Sequence, residues 1–162
     1  MTIREYKSTD REACIEIFKS NMPKFFALHE LDDFKSWLSY KDKAEIAYKS
    51  NQSEYYYVIE LDNKVVGCGG FYIPQNGNEA RMAWGMVENR LHKKGIGRAL
   101  FEFRIKQIRL LRPEIIIAMD TTQFSYPFFE KLGFKVTKFQ KDAYAKGLDR
   151  YDMVQERNVL EI

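Results

Sequence analysis

The sequence predicts an α/β fold, one domain over residues 1–162 in which a mixed, mostly antiparallel central sheet is flanked by helices. Three observations predict it. A chain of 162 residues that is 45% hydrophobic and 15% aromatic can bury one sizeable core and is not disordered. Turn chemistry links the strand candidates in the middle of the chain as hairpins. A broadly apolar helical pattern then leads into a continuous apolar run, I-I-I-A-M at 115–119, which marks a strand buried on both faces. The element order is β-α-α-β-β-β-α-β-α-β-β, with no internal repeat, low-complexity tract or linker.

Ile3 and Tyr6 flank a short extended start. Ser8, Thr9 and Asp10 offer a helix N-cap, and Glu12 is a favourable first-turn carboxylate. Cys14, Ile17 and Phe18 recur at helical spacing and predict a helix to about Met22, where Pro23 interrupts. A second helix is expected after the acidic stretch E-L-D-D, with Phe34, Trp37 and Leu38 on one face. Tyr55 to Glu60 reads as a strand, D-N-K as a turn, and K-V-V-G-C-G-G-F-Y-I as the returning strand. Gly67, Gly69 and Gly70 within it imply either a bulge with close backbone approach or a tolerant sheet edge. Q-N-G-N at 75–78 is a second turn, and A-R-M-A-W-G-M-V continues the sheet. Ile96, Leu100 and Phe103, with Phe101, Ile105 and Ile108, make the next helix apolar until Pro113 ends it. Ser125 caps a short helix with Pro127 in its first turn and Gly133 past its end. Two strands close the chain, around Val136 and around D-R-Y-D-M-V-Q, joined by a polar loop.

Composition narrows the function. A formal net charge of +3 is too mild for non-specific nucleic-acid binding. The N-terminus is polar, and no segment approaches the ~20 apolar residues that span a bilayer. Cys14 and Cys68 lie far apart without metal-type spacing. These features predict a reduced, cytoplasmic protein with neither nucleic acid nor membrane as partner, acting alone or as a homodimer.

The stretch with the most to say is L-H-K-K-G-I-G-R-A-L-F-E-F at 91–103. Backbone N–H groups at a helix start lack internal partners and carry the positive end of the dipole. Gly95 and Gly97 let that backbone curl so that several N–H groups converge on one anion, and Lys93, Lys94 and Arg98 add full charges. Taken alone, the loop fits an ordinary tight turn on a solvated basic surface equally well. It is neither the dinucleotide fingerprint, since position 100 is Leu, nor a P-loop, since G-x-x-x-x-G-K-[ST] occurs nowhere.

Val87, the loop H-K-K-G-I-G, the helix start R-A-L-F and F-F-E-K-L-G-F at 128–134 together resemble the GNAT superfamily of acyl-CoA-dependent N-acetyltransferases. Its phosphate motif is R/Q-x-x-G-x-G/A, and its second hallmark is an aromatic-E-K-L-G-F stretch. The motifs fall within 82–134, and the element order matches over nearly the whole chain. The resemblance implies acetyl-CoA as co-substrate, no metal, and two central strands splayed into an acyl-CoA slot. It implies that the amides of Lys93, Lys94, Gly95, Ile96, Gly97 and Arg98 hold the CoA diphosphate. Met86 and Val87 would pair with the pantetheine amides like a neighbouring strand, with an N–H near Val87 facing the thioester carbonyl. The implied activity is transfer of an acetyl group to a primary amine of a small molecule or peptide, by direct attack in a ternary complex. The alternative is a non-catalytic acyl-CoA-binding sensor or partner module.

Three positions depart from the family pattern. His92 replaces Arg or Gln at the start of the phosphate motif, and a structural hydrogen-bonding role suits it. Phe129 stands where many members carry the tyrosine that protonates the departing sulfur; Tyr126, one turn earlier, is the substitute candidate. Arg81 stands where some relatives place a glutamate, so Glu79, two residues back on the same strand face, is the candidate base, with Asp120 acting through water as the alternative. Cys68 has no histidine near it in sequence that would make it a nucleophile. Glu30, Asp32, Asp33, Asp142, Asp149 and Asp152 fall in the two regions that cover the acceptor entrance in the family, which weakly favours a cationic amine.

Overall fold

The computed structural model describes residues 1–46, 54–74 and 77–156. Its strands are β1 (Thr2–Glu5), β2 (Glu54–Leu61), β3 (Lys64–Tyr72), β4 (Glu79–Val87), β5 (Ile116–Thr121), β6 (Lys135–Ala145) and β7 (Leu148–Gln155). They form one sheet in the order β1-β2-β3-β4-β5-β7-β6. β4 and β5 run parallel, and every other neighbouring pair is antiparallel. The mixed, mostly antiparallel α/β sheet expected from the sequence is the one formed.

Helices α1 (Arg11–Ser20) and α2 (Glu30–Ile46) cover one face of the sheet, and α3 (Ile96–Leu111) and α4 (Tyr126–Glu130) the other. Periodicity explains the division. Cys14, Ile17 and Phe18 of α1 and Phe34 and Leu38 of α2 are buried against Val58 and Cys68. Leu100, Phe101 and Ile108 of α3 are buried against Ile59, Phe71 and Ile117. Phe101, 2% exposed, meets Phe129 at 4.9 Å and Phe134 at 5.5 Å between ring centroids, so its truncation to alanine removes ~3–5 kcal/mol of stability.

Three details differ from expectation or decide between alternatives, and a fourth expectation falls partly outside the described residues. The acidic stretch E-L-D-D is the first turn of α2 and does not precede it, as the helix dipole favours. The three glycines lie in β3, an interior strand, so they serve close approach: a Cβ on Gly70 would sit 1.9 Å from the Tyr55 carbonyl oxygen. The polar loop expected after Val136 is strand, because β6 runs on to Ala145 as the exposed, charge-rich edge of the sheet. Of the Q-N-G-N turn, Gln75 and Asn76 lie outside the described residues.

Candidate active site

The site begins where two parallel strands part. β4 and β5 pair only through Glu79–Ile116, Ala80–Ile117 and Arg81–Ala118. From Met82 to Val87, β4 has no strand partner on its β5 side, and the sheet opens into a gap. Glu88 N–H donates to Val66 O at 2.8 Å, so strand alternation turns the Val87 N–H and C=O away from β3 and toward the gap. The Met86 main chain faces Cys68 of β3 instead, and its side chain is buried.

The Val87 carbonyl is held from two directions. Asn21 Nδ2 donates to it at 2.9 Å, and His92 Nε2 donates to it at 2.9 Å. His92 therefore carries its proton on Nε2 and pins the loop back onto the end of β4, the structural role its place in the motif suggested.

Between the closed end of the gap and Val87, β4 bulges. Trp84 and Gly85 together stand opposite Gly69, and Trp84 takes φ +44, a left-handed backbone rare for so bulky a residue. The surroundings hold it there. Tyr56 Oη donates to Trp84 O at 2.8 Å, and the indole packs on Phe34 at 5.2 Å. Such strain concentrates at functional sites.

The loop after β4 curls at Gly95, as expected, and at Lys93; Gly97 lies in the first turn of α3 with helical backbone and leaves room without making the turn. Lys93 (φ +64) and Gly95 (φ +83) are left-handed, and α3 starts at Ile96. Ala99 N–H is the first to bond back, to Gly95 O at 3.0 Å. Among the described residues, the amides of Lys93, Lys94, Gly95, Ile96, Gly97 and Arg98 have no acceptor. They form a row of donors at the positive end of a 16-residue helix. A Cβ on Gly95 would meet nothing within 4 Å, and one on Gly97 only the Val87 Cγ2 at 3.7 Å. The cradle is open: at Gly97 a side chain would fill it without disturbing the core, whereas at Gly95 the left-handed backbone would strain any L side chain. These residues fit a diphosphate. The Lys93 and Lys94 side chains are exposed, while Arg98 Nε is engaged with Glu102 Oε1 at 2.8 Å.

Across the gap the groups are side chains. Asp120 of β5 bonds Tyr144 Oη of β6 and lies 3.5 Å from Arg81 Nη2 and 3.8 Å from Arg150 Nη2. Arg81 also reaches Glu79, at 3.9 Å. Glu79 and Asp120, the two candidate bases, are thus joined through one guanidinium. Glu79 is at the closed end, where β4 still pairs with β5, and Asp120 lies two residues beyond the last such pair. Burial, and Asp120 beside it, push the Tyr144 hydroxyl pKa well up. Tyr144 and Arg150 were not singled out from the sequence; the only sign was a tyrosine in an otherwise polar segment.

Tyr126 opens α4 and stacks on Tyr151 at 4.0 Å. Alternation along β5 sends Ile117 and Met119 into the α3 core, together with Tyr126, and leaves Asp120 on the opposite face near Glu30. The candidate acid and base therefore lie on opposite faces of the sheet. Phe129 packs on Phe101. Several of the acidic residues have local work. Glu30 Oε2 accepts from Ala27 N–H at 2.7 Å, Asp142 and Asp149 tie the β6–β7 turn, and Asp152 pairs with Arg150 at 2.9 Å. Cys68 is buried beside Cys14, away from solvent. Among the described residues no group of His, Cys, Asp and Glu could hold a metal ion, and no helix is long and apolar enough to cross a membrane.

Solved structures share this architecture. A GNAT-family protein from Desulfovibrio desulfuricans is 19% identical and superposes with a TM-score of 0.76, covering 96% of this chain and 98% of that one. A ribosomal-protein-alanine N-acetyltransferase from Brucella melitensis gives 19%, 0.73, and coverages of 97% and 100%. An aminoglycoside 6'-N-acetyltransferase complexed with coenzyme A gives 19%, 0.69, and coverages of 96% and 97%. At these identities the likeness establishes the fold. No curated protein matches the sequence. The model of the acetyltransferase (GNAT) family matches residues 14–134, from α1 through both hallmark segments, and the chain belongs to that family.

Proposed function

We propose that the protein transfers an acetyl group from acetyl-CoA to a primary amine of a small molecule or peptide, with both substrates bound at once. The observation that carries this reading is the row of six amides from Lys93 to Arg98, without an acceptor among the described residues, in the loop that follows the open end of β4. Acetyl-CoA supplies an acyl group activated as a thioester. The amides of residues 93–98 hold its diphosphate, with Lys93 and Lys94 adding charge. The Val87 N–H binds the pantetheine arm as a strand would, and Met86 backs it. Structural relatives named for ribosomal-protein alanine and for an aminoglycoside 6'-nitrogen support an amine as acceptor.

The acceptor ammonium, with a pKa of roughly 10, must lose a proton before nitrogen can attack. Asp120 receives it on the acceptor face, and Glu79 backs Asp120 across Arg81. As the C–N bond forms and the C–S bond breaks, Tyr126 returns a proton to sulfur from the opposite face. A thiol pKa near ~8.5 makes even the bare thiolate a tolerable leaving group, so Tyr126 contributes less than the base. The protein works in the cytoplasm, and the transfer needs no metal.

Phe129 and Arg81, standing where acid and base often reside, favour a second reading, a non-catalytic acyl-CoA-binding module. A thiol-release assay with acetyl-CoA and a panel of polyamines, amino sugars, amino acids and N-terminal peptides separates the two. Acceptor-dependent release supports the enzyme. Tight CoA binding with no release across the panel supports the module.

A further inference from the structure

Arg104 lies on the core face of α3, where the stripe through Leu100 and Ile108 asks for an apolar residue. It is 5% exposed. Its guanidinium lies over the Phe101 ring at 5.5 Å, and Nη1 donates to Gly70 O at 3.0 Å. The buried Nε has no partner, and no carboxylate pairs with the group among the described residues. Tyr56 and Cys68 lie near it, and two glycines face it directly. A Cβ on Gly69 would fall 2.9 Å from Arg104 Cζ, and one on Gly85 would fall 2.6 Å from Nη2. Gly69 and Gly85 are the two sides of the β4 bulge. The cation thus sits directly behind the strained turn of the strand that lines the gap. Burial lowers its pKa to about 10, which leaves it charged at neutral pH. An unpaired buried charge is costly, and a methionine of similar volume would suit the core better.

We infer that Arg104 is a positioning residue for acyl transfer: lodged between Gly69 and Gly85, it fixes the β4 bulge and sets a positive charge behind the part of the gap where negative charge gathers on the thioester carbonyl oxygen. This rests on reading the gap as the acyl-CoA slot. With the diphosphate at residues 93–98 and the pantetheine arm at Val87, the thioester comes next along β4, at Trp84 and Gly85. A charge behind that stretch acts through protein and not through water, so its field is weakly screened. It favours the developing oxyanion over the neutral ground state, which raises kcat and leaves coenzyme affinity alone.

The test compares Arg104→Met, Arg104→Gln and Arg104→Lys with the parent protein. Three readouts apply: CoA affinity by calorimetry, kcat by thiol release, and the infrared carbonyl band of bound ¹³C-labelled acetyl-CoA without acceptor. The expected result is that Arg104→Met keeps CoA affinity within about threefold and a melting temperature no lower than the parent's, yet loses kcat by ~10-fold or more. The carbonyl band of the parent complex lies below that of the Met complex, and Arg104→Lys retains part of both the shift and the rate. If the Met variant does not fold, Arg104→Gln decides, since it keeps a donor for Gly70 O without the charge and must show the same loss. A folded Met or Gln variant with the parent's kcat and carbonyl band overturns the inference and leaves the acetyltransferase reading standing. A parent protein that binds no CoA overturns both.

Discussion

The two sides of the gap are built from different materials. On the β4 side the groups offered are main chain: the Val87 N–H and six amides from Lys93 to Arg98, all within twelve residues of sequence. On the β5 side they are side chains gathered from four strands: Arg81, Asp120, Tyr144 and Arg150. A main-chain site is a matter of backbone shape, which Gly95 at φ +83 and a helix start provide locally. A side-chain site is a matter of register across the sheet, and one residue of slip in β5 or β7 would turn the whole set to the other face. The first side can therefore tolerate changes of side chain, such as His92 for Arg or Gln, that would dismantle the second.

That contrast can be broken most forcefully on the main-chain side. Gly97→Val puts a branched side chain into an open cradle where the structure has room for it, so folding survives and CoA affinity falls ~100-fold, read by calorimetry. Next is the base. Asp120→Asn, which keeps the side-chain shape but removes the charge, lowers kcat by ~30-fold without touching CoA affinity, while Glu79→Gln costs less. An equal loss in both variants would show that the two carboxylates act as one unit through Arg81. Smaller again is Tyr126→Phe, which keeps the stack on Tyr151 and lowers kcat by ~10-fold with CoA affinity unchanged. An unchanged rate removes Tyr126 as the acid.

The smallest effect concerns stability and pH. Burial raises the Glu30 pKa, with Asp120 and Asp33 adding to it. A carboxyl raised by folding stabilises the fold below its unfolded value and loses that contribution as pH rises through its folded value. Glu30→Gln therefore melts about 1–3 °C above the parent at pH 7, and the advantage shrinks toward pH 4 in a calorimetric series. A gain that grows as pH falls would contradict the burial argument.

The fold was legible where periodicity and turn chemistry are local. The Cys14–Ile17–Phe18 stripe, the D-N-K hairpin and the apolar run at 115–119 each became the element expected. β6 was not fully legible, because an exposed edge strand rich in lysine looks like a loop in composition and declares itself only by pairing with β7. The amide cradle could be read because its parts are neighbours in sequence. The Asp120–Tyr144–Arg150 cluster could not, because its members meet only once β5, β6 and β7 are in register. Arg104 leaves a trace in the sequence: a charge at the third position of the otherwise apolar stripe Ile96–Leu100–Arg104–Ile108, with glycines at 69 and 85 in the strands it faces.

The most direct measurement is a titration of the ¹⁵N-labelled protein with coenzyme A, followed at the backbone amides of residues 93–98. The account predicts that these amide protons move downfield together and saturate with the binding curve, and that adenosine 3',5'-bisphosphate, which lacks the diphosphate bridge, moves them less. Coenzyme A that binds while shifting other amides and leaving 93–98 in place would contradict it.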